Sequence, residues 1–341
     1  MLISNNSKMQ EVAIIGINSL SGGSLARTLS EQGIKVLGFA RTQNTEPIFL
    51  PYSSENNPFS SLIKVIHANL LSDSKMIAEN IQDCKIRHVV NFAAQSMVAE
   101  SWESPEDWYE TNISATAKLL NHFVSQGVKK LDKFIQFSTP EVYGSTNGFL
   151  RESWHFNPST PYAISRAASD QHIRCLNRVY NFPAIFTRAA NVYGPHQKLY
   201  RVIPKFIVKA MKGERIELHG GGASIRSFIH IDDVSKALLT ILKSGQIGDT
   251  YHISTNQFIS IGDLASMVLS KLGVSPGRLL DPSVDRKGKD LAYQLDSSKL
   301  RDELGWSDVI DLEIGITDVI EWIKEDWEKI KNNSVAYEHT K

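Results

Sequence analysis

The sequence predicts an α/β protein in which a mostly parallel, doubly wound sheet of roughly six or seven strands precedes a smaller α/β domain. Three observations carry this expectation. Short apolar runs alternate with helix-patterned stretches over residues 11–192. A Gly/Ser-rich turn, GINSLSGG at 16–23, separates the first apolar run from the first helix. After Gly194 the elements shorten and crowd together, as in a second unit.

Taken in order, Glu11–Ile15 (EVAII) is the first strand. The helix after the turn repeats Leu20, Leu25 and Leu29, Gly33 ends it, and IKVLGFA (34–40) is the second strand. SLIKVIHANL (61–70) holds a third strand and SKMIAENIQDC (74–84) a helix. RHVVNFAA (87–94) is apolar enough to be buried on both faces, as strands of parallel sheets are. A helix over 108–127, the strand KFIQFST (133–139), a helix from Pro161 and the strand FPAIFTRAANV (182–192) follow. The first domain is thus expected over 1–190. The second, over 191–330, is expected to hold helices near 202–212, 232–244, 261–272 and 316–329, with strands near 216–218 and 226–231. Some elements should be exchanged between the two, and the polar stretch 331–341 reads as a flexible tail.

Lys plus Arg and Asp plus Glu both number 37, so no net field draws the chain to nucleic acid or to a membrane surface. No apolar run is long enough to span a bilayer. Any anionic ligand must be held by local groups. Cys84 and Cys175 have neither zinc nor redox spacing, and the 10 histidines show no metal pattern. The expectation is a reduced, cytoplasmic protein without a metal.

The turn has the layout of a nucleotide-binding G-x-x-G-x-x-G with Ser19 in the middle slot. Gly16, Ser19, Leu20, Ser21 and Gly22 would bring backbone amides to a pyrophosphate at the positive end of the helix. Ser19 narrows that approach and adds a hydroxyl donor; an ordinary Gly-rich turn is the other reading. The second strand ends GFAR, with no acid for ribose hydroxyls. Arg41 suits a 2′-phosphate, so the cofactor is NAD or NADP with a lean towards NADP, unless Arg41 is merely solvated. Asn69 and Leu70 close the third strand where adenine is commonly met, and Phe92, Ala93, Ala94 and Gln95 follow the fourth.

Three segments fall at or just beyond strand ends: NFAAQS (91–96), STPEVYG (138–144) and PYAISR (161–166). Open α/β sheets bind ligands there. Tyr162 and Arg166 are four apart at a helix start and share one face, so a fixed cation stands beside a phenol and favours its use as a base. Ser138 and Thr139 can hydrogen-bond the same substrate oxygen. For Glu141, a solvated loop carboxylate is the competing reading.

STPEVYG, then PYAISR, then RAANVYGP (188–195) resembles the extended short-chain dehydrogenase/reductase family. Within it the likeness is to nucleotide-sugar 4,6-dehydratases of the dTDP-glucose and GDP-mannose kinds, from about Val12 to Trp322. AAQS at 93–96 and Arg41 resemble the GDP-mannose branch, whereas NVYGP at 191–195 and IPKF at 203–206 resemble the dTDP-glucose branch. The resemblance implies a Rossmann-type dinucleotide domain ahead of a nucleotide-sugar domain. It implies that Tyr162 takes the 4-hydroxyl proton, Thr139 holds that oxygen and Arg166 meets the cofactor ribose. Glu141 would abstract the C5 proton as the C6 hydroxyl leaves, with hydride returned to C6. Ser96 and Ser138 would line the sugar site, Asn191 the sugar phosphate and Arg226 the diphosphate. Lys205 and Arg286, the latter in the basic loop 285–290, would reach the nucleotide; for that loop a solvated charge cluster stays open. Relatives pair through two long helices, which implies a homodimer or higher oligomer through Trp108–Val124 and Ala163–Arg178.

Two departures matter. The family's lysine is Arg166, permanently charged and longer. The acid between Thr and Glu is Pro140, which has no proton to give. Either Glu141 shuttles the proton alone, or a C4-epimerase, C4 dehydrogenase or decarboxylase uses the same scaffold. A non-catalytic, cofactor-sensing protein is the third reading. Tyr162, Thr139 and Glu141 together argue against it.

Overall fold

A computed structural model describes residues 9–145, 148–283 and 294–340. Its centre is one sheet of seven parallel strands: β1 (Glu11–Ile15), β2 (Lys35–Ala40), β3 (Ile63–His67), β4 (His88–Asn91), β5 (Lys133–Ser138), β6 (Ala184–Ala189) and β7 (Thr250–Ile253). Across the sheet the order is β7-β6-β5-β4-β1-β2-β3. The winding reverses between β1 and β4, which opens a crevice beyond their carboxyl ends. Among the described residues, the longer helices surround this sheet and build the second unit. They are α1 (Leu20–Glu31), α2 (Leu70–Asp83), α3 (Pro105–Tyr109, continuing through π-helical Glu110–Ala115 into Thr116–Ser125), α4 (Pro161–Tyr180), α5 (Val202–Met211), α6 (Ile231–Ser244), α7 (Ile261–Lys271) and α8 (Leu312–Glu325).

The period-two alternation of β1 divides the core. Val12 and Ile14 pack with Leu25 and Leu29 of α1 and with Val234, Leu238 and Ile241 of α6. Ala13 and Ile15 face the other way, towards Ile77 and Ile81 of α2, Leu119 and Phe123 of α3 and Ile173 of α4. A third cluster joins α5, α7 and α8 and forms the core of the smaller unit.

Elements from beyond residue 190 return to the first core, as exchange between the two units requires. α6 and β7 lie in the second half of the chain, yet both belong to the first core, and Leu300 and Trp306 join them. The run 182–192 also divides. β6 stays in the sheet, while Asn191–Tyr193 leaves it to pair with Phe228–His230 at the smaller unit. β7 had no sequence signal because TYHI is short and carries a polar His252. That histidine is fully buried because Tyr143 donates to its Nε2 at 2.8 Å and its Nδ1 meets the Asp296 carbonyl at 3.1 Å. Burial, with Arg188 nearby, pushes its pKa down to about 3, so it stays neutral. The stretch expected to be loose also has contacts. Asn333 donates to Glu46, Tyr337 packs its ring on Tyr200, and His339 stacks on Trp108.

Beneath the carboxyl ends of β5 and β6 lies a fully buried ion pair. Arg188 of β6 donates to Asp170 Oδ2 of α4 at 2.9 Å, and both side chains are 0% exposed. Ser138 of β5 donates to the same oxygen at 2.7 Å. The guanidinium also donates to Tyr143 and lies over the rings of Tyr143, Trp154 and Phe156. Removing one member strands a buried charge. Arg188→Met is expected to lower stability in urea unfolding by about 3–5 kcal/mol, and Arg188→Met with Asp170→Leu to recover most of that loss.

Candidate active site

The cofactor turn follows from three small residues. Gly16 has φ +86°, and a Cβ there would sit 2.8 Å from the Ala93 nitrogen. At Gly22 a Cβ would come within 2.5 Å of the Gly16 carbonyl oxygen. Ser19 caps α1, accepting from the Gly22 nitrogen at 3.1 Å and donating to the Gly16 carbonyl at 2.7 Å. Its hydroxyl proton is therefore used inside the turn, which corrects the expectation of an extra donor for a pyrophosphate. Leu20 and Ser21, in the first helical turn, line the cleft beside it.

Tyr162 is placed by its helix start. Thr160 caps α4 by accepting from the Ala163 nitrogen at 3.1 Å, and Pro161 fills the position that needs no N–H. The Tyr162 amide donates to Ser101 Oγ at 3.2 Å. Arg166, one turn on, is 2% exposed and donates to the Phe137 carbonyl. Thr139 follows β5 and caps the short turn Pro140–Tyr143, with Pro140 again at the first position. Pro140 fits there without local penalty because that position needs no N–H.

Four groups then act on the Tyr162 phenol. Burial raises its pKa and the Glu141 charge raises it further; Arg166, a hydrogen bond from Thr139 and Arg201 pull it back. Arg201 was missed by the sequence reading. It stands just before α5 and donates to Ser96 Oγ at 2.9 Å. Asn112 was missed as well. The π-helical stretch of α3 carries it, fully buried, to Gln95, where it accepts from the Gln95 amide and donates to the Gln95 carbonyl and to Ser165 Oγ. No spacing signals a π-turn; for Arg201 the hint was a cation opening an apolar helix that has no acid in its first turn.

One cleft of ≈ 680 Å³ gathers most of the expected site residues. Ser19, Leu20, Ser21, Phe92 and Ala94 line it with Ser96, Thr139, Glu141, Tyr162, Arg166, Asn191, Lys205 and Arg226. Asn191 donates to the Ser227 carbonyl and Arg226 to the Ile225 carbonyl. Ser138 borders the cleft, but its proton goes to Asp170, so Thr139 is the better partner for a substrate oxygen. Ala93 donates its amide to Asn91, Asn69 caps α2 and Leu70 is buried. Arg41 and Gln95 both bond to Thr340. Arg286 lies outside the described residues. Among the described residues no group of His, Cys, Asp or Glu is clustered to hold a metal, and no helix is long and apolar enough to cross a membrane. Cys84 and Cys175 are exposed and unbonded.

A dinucleotide fits these residues. The turn is open only because Gly16 and Gly22 lack a Cβ, and the buried Arg166 Nε has no hydrogen-bond partner among the described residues, which suits a ribose hydroxyl.

Comparison with known proteins agrees. The family model for GDP-mannose 4,6 dehydratase matches residues 14–319. A dTDP-glucose 4,6-dehydratase of Streptomyces antibioticus is 35% identical over 247 residues, 71% of this chain and 72% of that one. The crystal structure of DesIV, a dTDP-glucose 4,6-dehydratase from Streptomyces venezuelae with NAD bound, superposes with a TM-score of 0.84 at 27% identity, covering 94% of this chain and 98% of its own. UDP-glucuronic acid 4-epimerase from Bacillus cereus shares the fold, with a TM-score of 0.84 at 24% identity, over 93% of this chain and 99% of its own. The chain belongs to the GDP-mannose 4,6-dehydratase family of extended short-chain dehydrogenases/reductases.

The electrostatics of the phenol can be read directly. With tyrosines labelled for NMR titration, Arg166→Met is expected to move Tyr162 ionisation to higher pH, because a pKa-lowering cation is lost. Glu141→Gln is expected to move it to lower pH, because a pKa-raising anion is lost. Equal midpoints in all three proteins would refute the arrangement.

Proposed function

We propose that this family member is an NAD- or NADP-dependent nucleotide-diphosphate-sugar 4,6-dehydratase. The observation that carries the reading is the Glu141 carboxylate standing in the cleft close enough to perturb Tyr162, beside the Thr139 hydroxyl. The turn 16–22, Gln95, Arg166 and Arg41 would hold the dinucleotide, which supplies reversible hydride acceptance when bound. The named relatives are dehydratases, and the DesIV structure contains NAD.

The chain's own residues then have separate tasks. Thr139 hydrogen-bonds the sugar O4 and Tyr162 takes its proton, aided by the charges of Arg166 and Arg201. Oxidation at C4 acidifies the C5 proton, and Glu141 accepts it. Pro140 cannot protonate the departing C6 oxygen, so Glu141 delivers the same proton to it in a syn elimination; return of the hydride to C6, with a proton passed from the released water through Glu141 to C5, would close the cycle. Ser96, whose oxygen accepts from Arg201, has its own O–H to offer that oxygen. Asn191, Lys205 and Arg226 line the end of the cleft suited to a diphosphate and nucleotide.

Pro140 also favours a second reading, a C4-epimerase, because epimerisation needs no acid at that position. Pairing of two copies through α3 and α4 belongs to the same proposal. Ile164 and Val179 of α4, about 60° apart around the helix, are 43% and 68% exposed and are apolar side chains available for such packing.

Incubation with GDP-, dTDP-, UDP- and CDP-hexoses, with NAD and with NADP, separates the readings by mass. The expected product has lost one water with no net consumption of cofactor. A product of unchanged mass would favour the epimerase, and no reaction with any sugar would refute both. Glu141→Gln is expected to lower water loss at least a hundredfold, within the range of general acid–base catalysis. It should leave C4 oxidation visible as reduced-cofactor absorbance.

A further inference from the structure

The segment read as a loose tail crosses the cofactor side of the crevice. The Thr340 carbonyl accepts from Arg41 Nη1 at 2.8 Å and from Gln95 Nε2 at 2.9 Å, and its hydroxyl accepts from Arg41 Nη2 at 3.2 Å. Arg41 follows β2 and Gln95 follows β4, and β1 lies between those strands. Strand spacing separates β2 from β4 by roughly 10 Å. A carbonyl bonded to both must therefore sit in front of the carboxyl end of β1, where the turn 16–22 begins. Preceding residues hold it there. His339 stacks on Trp108, with ring centroids 4.9 Å apart and planes at 14°, and its Nε2 meets Asp107 Oδ2 at 2.9 Å. Tyr337 reaches His339 Nδ1 at 3.2 Å and packs its ring edge on Tyr200.

We propose that residues 337–340 are an intramolecular competitor for the dinucleotide, with Thr340 presenting acceptor oxygens to the donors that a ribose hydroxyl or phosphate would use. The inference rests on reading Arg41 and Gln95 as cofactor residues. The hold is displaceable by its nature. Its bonds are few, most lie at the surface, and every ordered residue of the segment costs conformational entropy. Cofactor binding then requires the segment to leave, so apparent affinity falls by the fraction of molecules in which it is docked.

The test titrates NAD into three nucleotide-stripped proteins: the full chain, a chain ending at Ala336, and His339→Ala in the full chain. The expected result is binding about tenfold tighter in the shortened chain, with His339→Ala between the two. In the full chain NAD should also speed chymotrypsin cleavage after Tyr337. Equal affinities in all three would overturn the proposal. So would weaker binding by the shortened chain, or protection of Tyr337 by NAD, since either makes the segment a clamp over bound cofactor. If none of the three binds NAD, or NADP titrated in parallel, while all unfold cooperatively, the cofactor reading itself falls and takes the inference with it. The point variant guards against a shortened chain that does not fold.

Discussion

The catalytic geometry depends on one buried carboxylate. Asp170 Oδ2 accepts from Ser138 of β5 and from Arg188 of β6 while belonging to α4. A charge in that position is tolerable only when its partners are present with good geometry, because the cost of stripping its water is several kcal/mol. The pair therefore does less to stabilise the fold than to exclude alternatives. α4 cannot slide against the sheet without separating a dry ion pair. One turn earlier, Arg166 donates to the Phe137 carbonyl, next to Ser138. Two tethers one turn apart fix the axial position and rotation of α4, and Tyr162 lies one turn beyond them. Thr139 follows Ser138 directly, so the Tyr162 phenol and the Thr139 hydroxyl, the proposed base and its partner, are positioned by the same carboxylate.

This scaffold lets the phenol be tuned by charges that would be screened in water. Burial alone would leave Tyr162 a poor base. Arg166 opposes that effect from the same helix and Arg201 from just before α5, a helix of the smaller unit. Replacing a lysine by arginine at position 166 keeps the charge and trades proton exchange for a planar set of donors. One donor is spent on the backbone of β5, and the buried Nε remains for a ligand. The smaller unit thus supplies part of the electrostatic environment of the phenol, besides lining one end of the cleft.

Most of this was legible in the sequence because it is periodic or local. The alternation of β1, the double burial of β4, the turn at Gly16 and the Tyr162/Arg166 spacing each follow from one stretch of chain. What escaped depends on partners far away. β7 is a strand because β6 offers an edge and Tyr143 satisfies His252; nothing within TYHI says so. Arg201 becomes part of the site only because Ser96, 105 residues earlier, accepts its hydrogen bond. Ser19 and Ser138 show the converse. Both hydroxyls line the cleft, yet their protons are taken by Gly16 and Asp170, an outcome that residue type cannot reveal. The stretch 331–341 looked loose because polar composition reports the lack of a core, not the presence of specific partners.

The position of Glu141 is the strongest physical argument about chemistry. An anion near the phenol raises its pKa and so works against the first proton transfer, the step common to every reaction on this scaffold. A site devoted to C4 oxidation or epimerisation would run better with a neutral residue there. Retaining a carboxylate makes sense if a later step needs it, and the proton made acidic by a 4-ketone is the one at C5. Pro140 sharpens the point. With no second acid beside it, any elimination must return the abstracted proton from the same carboxylate, so both partners must lie on one face of the sugar. On the proposed dehydratase reading, the disfavoured charge, the missing acid and the two compensating arginines would be parts of one arrangement, in which the first step is slowed slightly so that the second can occur.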